Sequence, residues 1–203
     1  ADLDARTQEA QGLADRVPGQ GQVLARIQRD YAPPVLLLGE GDPTHPRAND
    51  TIQDNLDEVR AHLAEIRTLM DRSQARHAQG AFLEAAECLR QAAARKDQAQ
   101  FRLQEIADKG QRLQATETSN AQTLAGLQTR AAALEAEARD PRTAGSTVQA
   151  LDEARARLDR AVRSTESTPK DPFAAAAELG AAGQALALVY DQVRKDWAAH
   201  ADA

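Results

Sequence analysis

Apolar residues in the middle of the chain recur at alternating steps of four and three positions. This spacing keeps one narrow stripe of each helix against a partner helix, which is typical of knobs-into-holes packing. The pattern therefore predicts an all-α fold: an elongated antiparallel helical bundle of about six helices with coiled-coil-like heptad packing. The apolar seam comprises Ile52, Leu56, Val59, Leu63, Ile66 and Met70, followed by Phe82, Ala85, Leu89, Ala92, Ala99, Leu103, Ile106 and Leu113.

Proline and glycine divide the first quarter of the chain. We expect a helix over residues 2–17 that ends at Pro18 and Gly19, because proline removes a backbone donor and disfavours the helix interior. A second short helix would follow. Residues 32–50 then form a long irregular loop rich in proline and glycine. The apolar face of the second short helix would consist of Leu24, Ile27 and Tyr31.

A helical hairpin is predicted next. Its first arm covers about residues 51–78, with Asn49 or Asp50 as the N-cap and Asp54 in the first turn. The break at Gln79 and Gly80 is short, so the second arm, which begins near residue 81, should pack antiparallel to the first.

Residues 116–120 leave two alternatives. The heptad pattern runs through them in phase, so one helix could extend from residue 81 to 139. A turn is the preferred interpretation, because Thr, Ser and Asn cluster there and Ser119 could cap a new helix.

Two further helices complete the pattern. Asp140 to Gly145 form a break, after which Ser146 would cap a helix that ends near Ser164. Asp171 and Pro172 predict the last helix, since a capping carboxylate precedes proline at the first helical position. The core residues of these helices would be Val148, Leu151, Leu158 and Val162, then Phe173, Leu179, Leu186, Val189, Val193 and Trp197. The breaks suggest domains at 1–50, 51–140 and 141–203.

Composition narrows the function. Aromatic residues are only 3% of the chain, which favours narrow bundles with small core side chains, and the formal net charge of -6 argues against a nucleic-acid partner. The single Cys88 allows no internal disulfide, and no stretch approaches the length of a membrane span. Because the chain begins at Ala1 and ends within a helical pattern, we expect a processed protein or a segment of a longer one.

No arrangement of residues points to catalysis. Glu58, His62 and Glu65 share one helical face and could hold a divalent ion with help from another helix, but a surface ion-pair cluster is the preferred interpretation. Glu40, Asp42, His45 and Asp50 match no calcium loop. We therefore expect no enzyme activity, no metal and no cofactor.

The best candidate for a partner contact is the apolar run formed by Val35, Leu36, Leu37 and Leu38, which lies outside the heptad pattern. An exposed run of this kind would mark an interaction site. The preferred interpretation is that the 32–50 loop folds over one end of the bundle and closes its core.

Two segments carry a family resemblance. Tyr31-Ala-Pro33, a long helix, and then Gly80-Ala-Phe-Leu-Glu-Ala-Ala86 before another long helix resemble the alanine-rich helical segments that follow the TPM domain in bacterial envelope proteins. The consecutive long helices are also similar to spectrin-like three-helix repeats of bacterial surface proteins. The resemblance implies an extracytoplasmic spacer or interaction region.

The sequence thus predicts a non-catalytic helical scaffold, spacer or protein-interaction module. Its partner would be another protein or a second copy of the chain, since an unpaired heptad surface can pair between molecules. The alternative is a helical carrier for an apolar peptide or lipid-like ligand, with the 32–50 loop as its lid.

Overall fold

The computed structural model describes residues 2–38, 47 and 49–201, with side chains from residue 5 onward. These residues form five α-helices and one short 3₁₀ helix, which confirms the all-α helical bundle and comes close to the predicted number of helices. The helices are α1 (Asp2–Asp30), α2 (Ile52–Ala78), α3 (Phe82–Ala138), α4 (Gly145–Glu166) and α5 (Pro172–Ala201), and the 3₁₀ helix covers Pro33–Leu36.

The chain divides into two compact units. The first unit covers residues 1–112 and the second covers 113–203. Since α3 runs through the division, it supplies the last helix of the first unit and the first helix of the second. The boundaries predicted after residues 50 and 140 lie inside these two units.

The first unit is a bundle of α1, α2 and the first half of α3. Lys96 Nζ lies 2.8 Å from Glu9 Oε2 near the beginning of α1. At the other end, Gly110 lets α3 approach α1 closely, because a Cβ there would lie 3.4 Å from Val23 Cγ1. α1 and α3 are therefore parallel to each other, and α2 is antiparallel to both.

The predicted seam forms the core of this unit. Ile52, Val59 and Ile106 are completely buried, and most other seam positions are buried. Met70 and Leu89 are half-buried, and Phe82, which begins α3 at the hairpin turn, is 62% exposed. The turn itself matches the prediction: Gly80 has a φ of 76°, a conformation that glycine adopts without steric cost.

The predicted end of the first helix at Pro18 is wrong. α1 continues through Pro18 to Asp30, although an interior proline costs about 3 kcal/mol. Leu13 and Leu24 explain this result: they are eleven residues apart, which is three helical turns, and both are buried. Burial of such side chains at about 1.5–3 kcal/mol each offsets the lost hydrogen bond.

The preferred turn at residues 116–120 is also wrong, and the continuous alternative is correct. The Thr118 hydroxyl donates a hydrogen bond to the Gln114 carbonyl within α3. The buried Asn120 side chain donates one to the Pro172 carbonyl at the beginning of α5. The polar residues of this segment therefore make their contacts from one uninterrupted helix.

Of the caps predicted for α2, α4 and α5, the first two differ from the structure. α2 begins after Thr51, not after Asn49 or Asp50, and Thr51 forms a capping box with Asp54. α4 begins two residues earlier than expected, with Ala144 as the N-cap instead of Ser146. At α5 the expected cap is present, since Asp171 Oδ1 accepts hydrogen bonds from the backbone of Phe173 and Ala174.

The second unit repeats the arrangement of the first, with α4 between two parallel helices. Arg194 of α5 lies 3.2 Å from Glu137 of α3, and Asn120 contacts the opposite end of α5. Val148 is 38% exposed and does not belong to the core, contrary to the prediction. Alanines fill much of the interior instead, as the low aromatic content suggests. The core residues are Ala131, Leu134, Leu151, Ala154, Leu158, Ala161, Leu179, Ala182, Ala185, Leu186, Val189 and Val193.

Candidate functional site

The apolar run at residues 35–38 is fastened to the first unit. Val35 lies in the 3₁₀ helix and is only 2% exposed, while Leu36, Leu37 and Leu38 are half-buried. Leu37 forms an antiparallel bridge with Thr51, and Leu38 N donates a 2.8 Å hydrogen bond to the Asp50 carbonyl. These contacts fit the interpretation in which the segment closes the core, at least for Val35.

A buried lysine contacts this run directly, and a group of ion pairs lies beside it. Lys109 is only 4% exposed and donates from Nζ to the Leu37 carbonyl across 3.2 Å. Arg47 Nη2 donates to Glu58 Oε1 across 2.8 Å, and Arg102 Nε donates to Glu58 Oε2 across 2.5 Å. Glu58 therefore joins the end of the loop to α2 and α3.

The possible metal ligands on α2 are engaged in other contacts. Glu58 is shared between two arginines, and Glu65 lies 2.6 Å from Arg95. The His62 Nδ1 atom is buried without a hydrogen-bond partner among the described residues. No group of three potential ligands occurs in the part of the chain that the structure describes. Of the loop residues considered for calcium, Asp50 pairs with Arg47, and Glu40, Asp42 and His45 lie outside the described residues.

Three ion pairs mark the register of the α2–α3 hairpin. They are Glu58–Arg102, Glu65–Arg95 and Arg76–Glu84. Between the first two pairs, both helices advance by seven residues in opposite directions, and between the last two they advance by eleven. Both steps return to the same helical face, so the pairs run along one side of an antiparallel hairpin.

One groove of this hairpin is filled by α1. Ala10 and Glu9 of α1 lie against Met70, Ala93 and Lys96, and only about 10 Å³ of space remains there. The fit combines a large aliphatic side chain on α2, an alanine on α3 and a lysine that pairs with a glutamate of the docked helix.

The neighbouring groove of the hairpin is open. It has a volume of about 550 Å³, and we call it the open groove. Half-buried Leu69 lies among small side chains, and arginines surround it. The open groove is lined by Ala64, Glu65, Thr68, Leu69, Arg72, Arg90, Gln91, Ala94 and Arg95.

The arginines of the open groove differ in their contacts. Arg95 pairs with Glu65, and Arg90 pairs with Glu87 at 2.6 Å. Hydrogen bonds from Arg90 and then Gln91 lower the pKa of Glu87 to about 2. Arg72 has no hydrogen-bond or ion-pair partner among the described residues. The lining residues carry three arginines and one glutamate, so this surface is basic on a chain whose net charge is -6.

A second cavity, in the second unit, is lined by both polar and apolar side chains. It has a volume of about 320 Å³ and lies where the linker before α5 crosses α3. Lys170 Nζ lies 3.0 Å from Glu117 Oε1, and Asn120 Nδ2 donates to the Pro172 carbonyl. These contacts join α3 to the linker and to the first residue of α5.

Helix α5 is an exception to the expectation that no stretch approaches the length of a membrane span. It is the one helix among the described residues that is long and apolar enough, with a mean hydropathy of 1.3 over its best window. This value reflects its many alanines. Core helices meet the same criterion, and Leu179, Leu186 and Val193 of α5 are buried in the second unit.

The open groove lies outside the heptad pattern and was not predicted from it. Leu69 directly precedes the seam residue Met70, and Ala94 and Arg95 lie between seam positions of α3, so none of them belongs to the heptad pattern. The available signal was an apolar residue off the seam, with basic residues at positions that share its helical face.

Comparisons with known proteins identify no relative of this chain. No protein-family model matches the chain, and neither the curated proteins nor the solved structures contain a significant match. The resemblance to envelope-protein segments stays a prediction.

Proposed function

We propose that this protein is a non-catalytic helical scaffold that docks a partner protein through the open groove of its α2–α3 hairpin. The observation that carries the proposal is the pair of neighbouring grooves on one hairpin. One of them holds α1 with almost no remaining space, and the other offers about 550 Å³ without an occupant among the described residues.

The chemistry of the groove supports a protein partner. Leu69 and the two alanines offer apolar contact, while arginines and a glutamine around them can make directional polar contacts. Arginine is enriched in protein interfaces, where its planar group binds carboxylates in pairs of hydrogen bonds. The groove is also built on helices, so its side chains are held on a rigid frame.

The arrangement of helices supports a spacer role as well. Each unit has three helices in up-down-up order, and α3 belongs to both units. This order agrees with the three-helix repeats that the sequence resembles, and we extend the proposal to a segment of a bacterial envelope protein.

The carrier alternative has less support from the contacts. A lid must move away from the bundle to admit a ligand. Leu37, however, accepts a hydrogen bond from Lys109 and forms a bridge with Thr51, and Val35 is part of the core. Moving the segment would expose Val35 and leave the buried Lys109 without this carbonyl partner, which is costly.

Site-specific photocrosslinking tests the scaffold proposal. A benzophenone amino acid replaces Thr68 in the groove, and in a matched protein it replaces Arg67, which is exposed on α2 outside the groove. In cells that make the protein, position 68 should give a discrete adduct that is lost on Leu69→Arg, whereas position 67 should not. Equal labelling at both positions, or none at position 68, would contradict docking in the groove.

A further inference from the structure

We infer that the occupant of the open groove is an acidic amphipathic helix of another protein, which lies along α2 and α3 as α1 does on the neighbouring groove. This inference rests on the proposed function and specifies its partner. It follows from a comparison of the two grooves, residue by residue.

The two grooves are built from adjacent residues of the same helices. The occupied groove has Met70 on α2, with Ala93 and Lys96 on α3. The open groove has Leu69 on α2, with Ala94 and Arg95 on α3. Each groove therefore offers an aliphatic side chain from α2 beside alanine and basic side chains from α3.

The occupied groove shows what such a surface accepts. α1 places Ala10 on the small residues, and its Glu9 lies 2.8 Å from Lys96 Nζ. This ion pair lowers the pKa of Glu9, chiefly through the hydrogen bond from Lys96. By the same chemistry, a helix in the open groove would place alanine or another small residue near Ala94 and a carboxylate near Arg95.

The charge of the open groove strengthens this comparison. It carries three arginines, and Arg72 has no partner among the described residues. The pairs that Arg90 and Arg95 make are partly exposed, and exposed pairs contribute little, so they can rearrange at small cost. A partner with carboxylates on successive turns would match these arginines, whereas a basic or neutral helix would leave Arg72 unpaired in the interface.

Two synthetic peptides and the full chain test the inference. The first peptide is an alanine-rich helix with glutamates spaced three and four residues apart along one edge, and the second has glutamine at those positions. Binding is measured by fluorescence anisotropy at low and high salt. The acidic peptide should bind about tenfold more tightly than its glutamine counterpart, and the difference should shrink with salt.

Variants of the chain locate the binding. Arg72→Glu and Leu69→Arg should each weaken the acidic peptide about tenfold or more. Arg67→Glu makes the same charge change on the same helix outside the groove and should have little effect. Arg72→Gln removes the charge without reversing it and should give an intermediate loss. Thermal unfolding of each variant confirms that the bundle is intact.

The outcomes separate this inference from the proposed function. If the peptides bind equally, or not at all, while position 68 still crosslinks a partner, the acidic-helix inference is wrong and the scaffold proposal stands. If neither peptide binds and no crosslink forms, both fail. If sedimentation shows a dimer that Leu69→Arg dissociates, the occupant is a second copy of the chain, which also overturns the inference.

Discussion

Asn120 Nδ2 donates a 2.7 Å hydrogen bond to the carbonyl oxygen of Pro172, the first residue of α5. The asparagine occupies a heptad position of α3 and is only 7% exposed. It therefore ties the first helix of the second unit to the beginning of its last helix. A polar residue on an apolar seam has here a specific partner, and it does not interrupt the helix.

Replacement of Asn120 should test this contact. Asn120→Ala removes the donor and leaves a small void, so we expect the free energy of unfolding to fall by about 1–3 kcal/mol. The neighbouring Ser119 is exposed, and Ser119→Ala should change stability by less than about 0.5 kcal/mol. Urea unfolding followed by circular dichroism measures both. Equal effects would show that the hydrogen bond does not anchor α5.

The N-terminus of α2 gives a second prediction. Thr51 Oγ1 accepts from the Asp54 backbone, and Asp54 Oδ2 accepts from the Thr51 backbone across 2.7 Å. Thr51→Ala breaks this reciprocal cap and should cost about 1 kcal/mol. Thr129 lies within α3 and is exposed, so Thr129→Ala should be neutral or slightly stabilising, because alanine has the higher helix propensity. A loss of stability in Thr129→Ala similar to that in Thr51→Ala would argue against the cap.

The contacts of Asp196 with the beginning of α4 predict that the stability of the protein depends on pH. The Thr147 hydroxyl and the Ala144 backbone donate to Asp196 Oδ2, and these bonds lower the pKa of the carboxyl group. A carboxyl whose pKa is lowered by folding stabilises the protein above its unfolded pKa of about 3.9. This contribution is lost as the pH falls through the lower folded pKa.

Asp196→Asn should therefore destabilise the protein at pH 7, and the difference from the natural chain should shrink as the pH falls below about 4. Asp191→Asn is the matched control, because Asp191 is exposed on the same helix and has no hydrogen-bond or ion-pair partner among the described residues. Thermal unfolding across this pH range measures the two variants. A difference that grows towards low pH would reverse the expected sign and refute the assignment.

The heptad pattern predicted most of the core because periodic burial is a local property of the sequence. Leu56, Leu103 and Leu113 lie where the pattern places them. The errors arose where long-range contacts override local preference. Pro18 is tolerated because Leu13 before it and Leu24 after it are buried, and Asn120 stays helical because its side chain bonds to the Pro172 carbonyl. Neither contact can be inferred from neighbours in the sequence.

The candidate site was less predictable than the core. An open groove depends on which helix faces remain uncovered after α1 has docked, and heptad spacing does not identify those faces. Leu69 and Met70 are adjacent apolar residues, yet α1 lies against Met70 while Leu69 lines the open groove. Only the packing of the three helices distinguishes them.

Replacing two glycines of the first unit with alanine should change the free energy of unfolding in opposite directions. Gly19 lies inside α1, and a Cβ at this position would meet no atom within 4 Å. Gly19→Ala should raise the free energy of unfolding by about 1 kcal/mol, because alanine loses less conformational freedom in a helix. Gly80 has a φ of 76° in the hairpin turn, so Gly80→Ala should lower stability by about 1 kcal/mol or more. Both residues are exposed, so packing changes little and backbone conformation decides the sign. Denaturant midpoints at constant slope measure the two effects. If Gly19→Ala were also destabilising, α1 would not be continuous across Pro18 in solution.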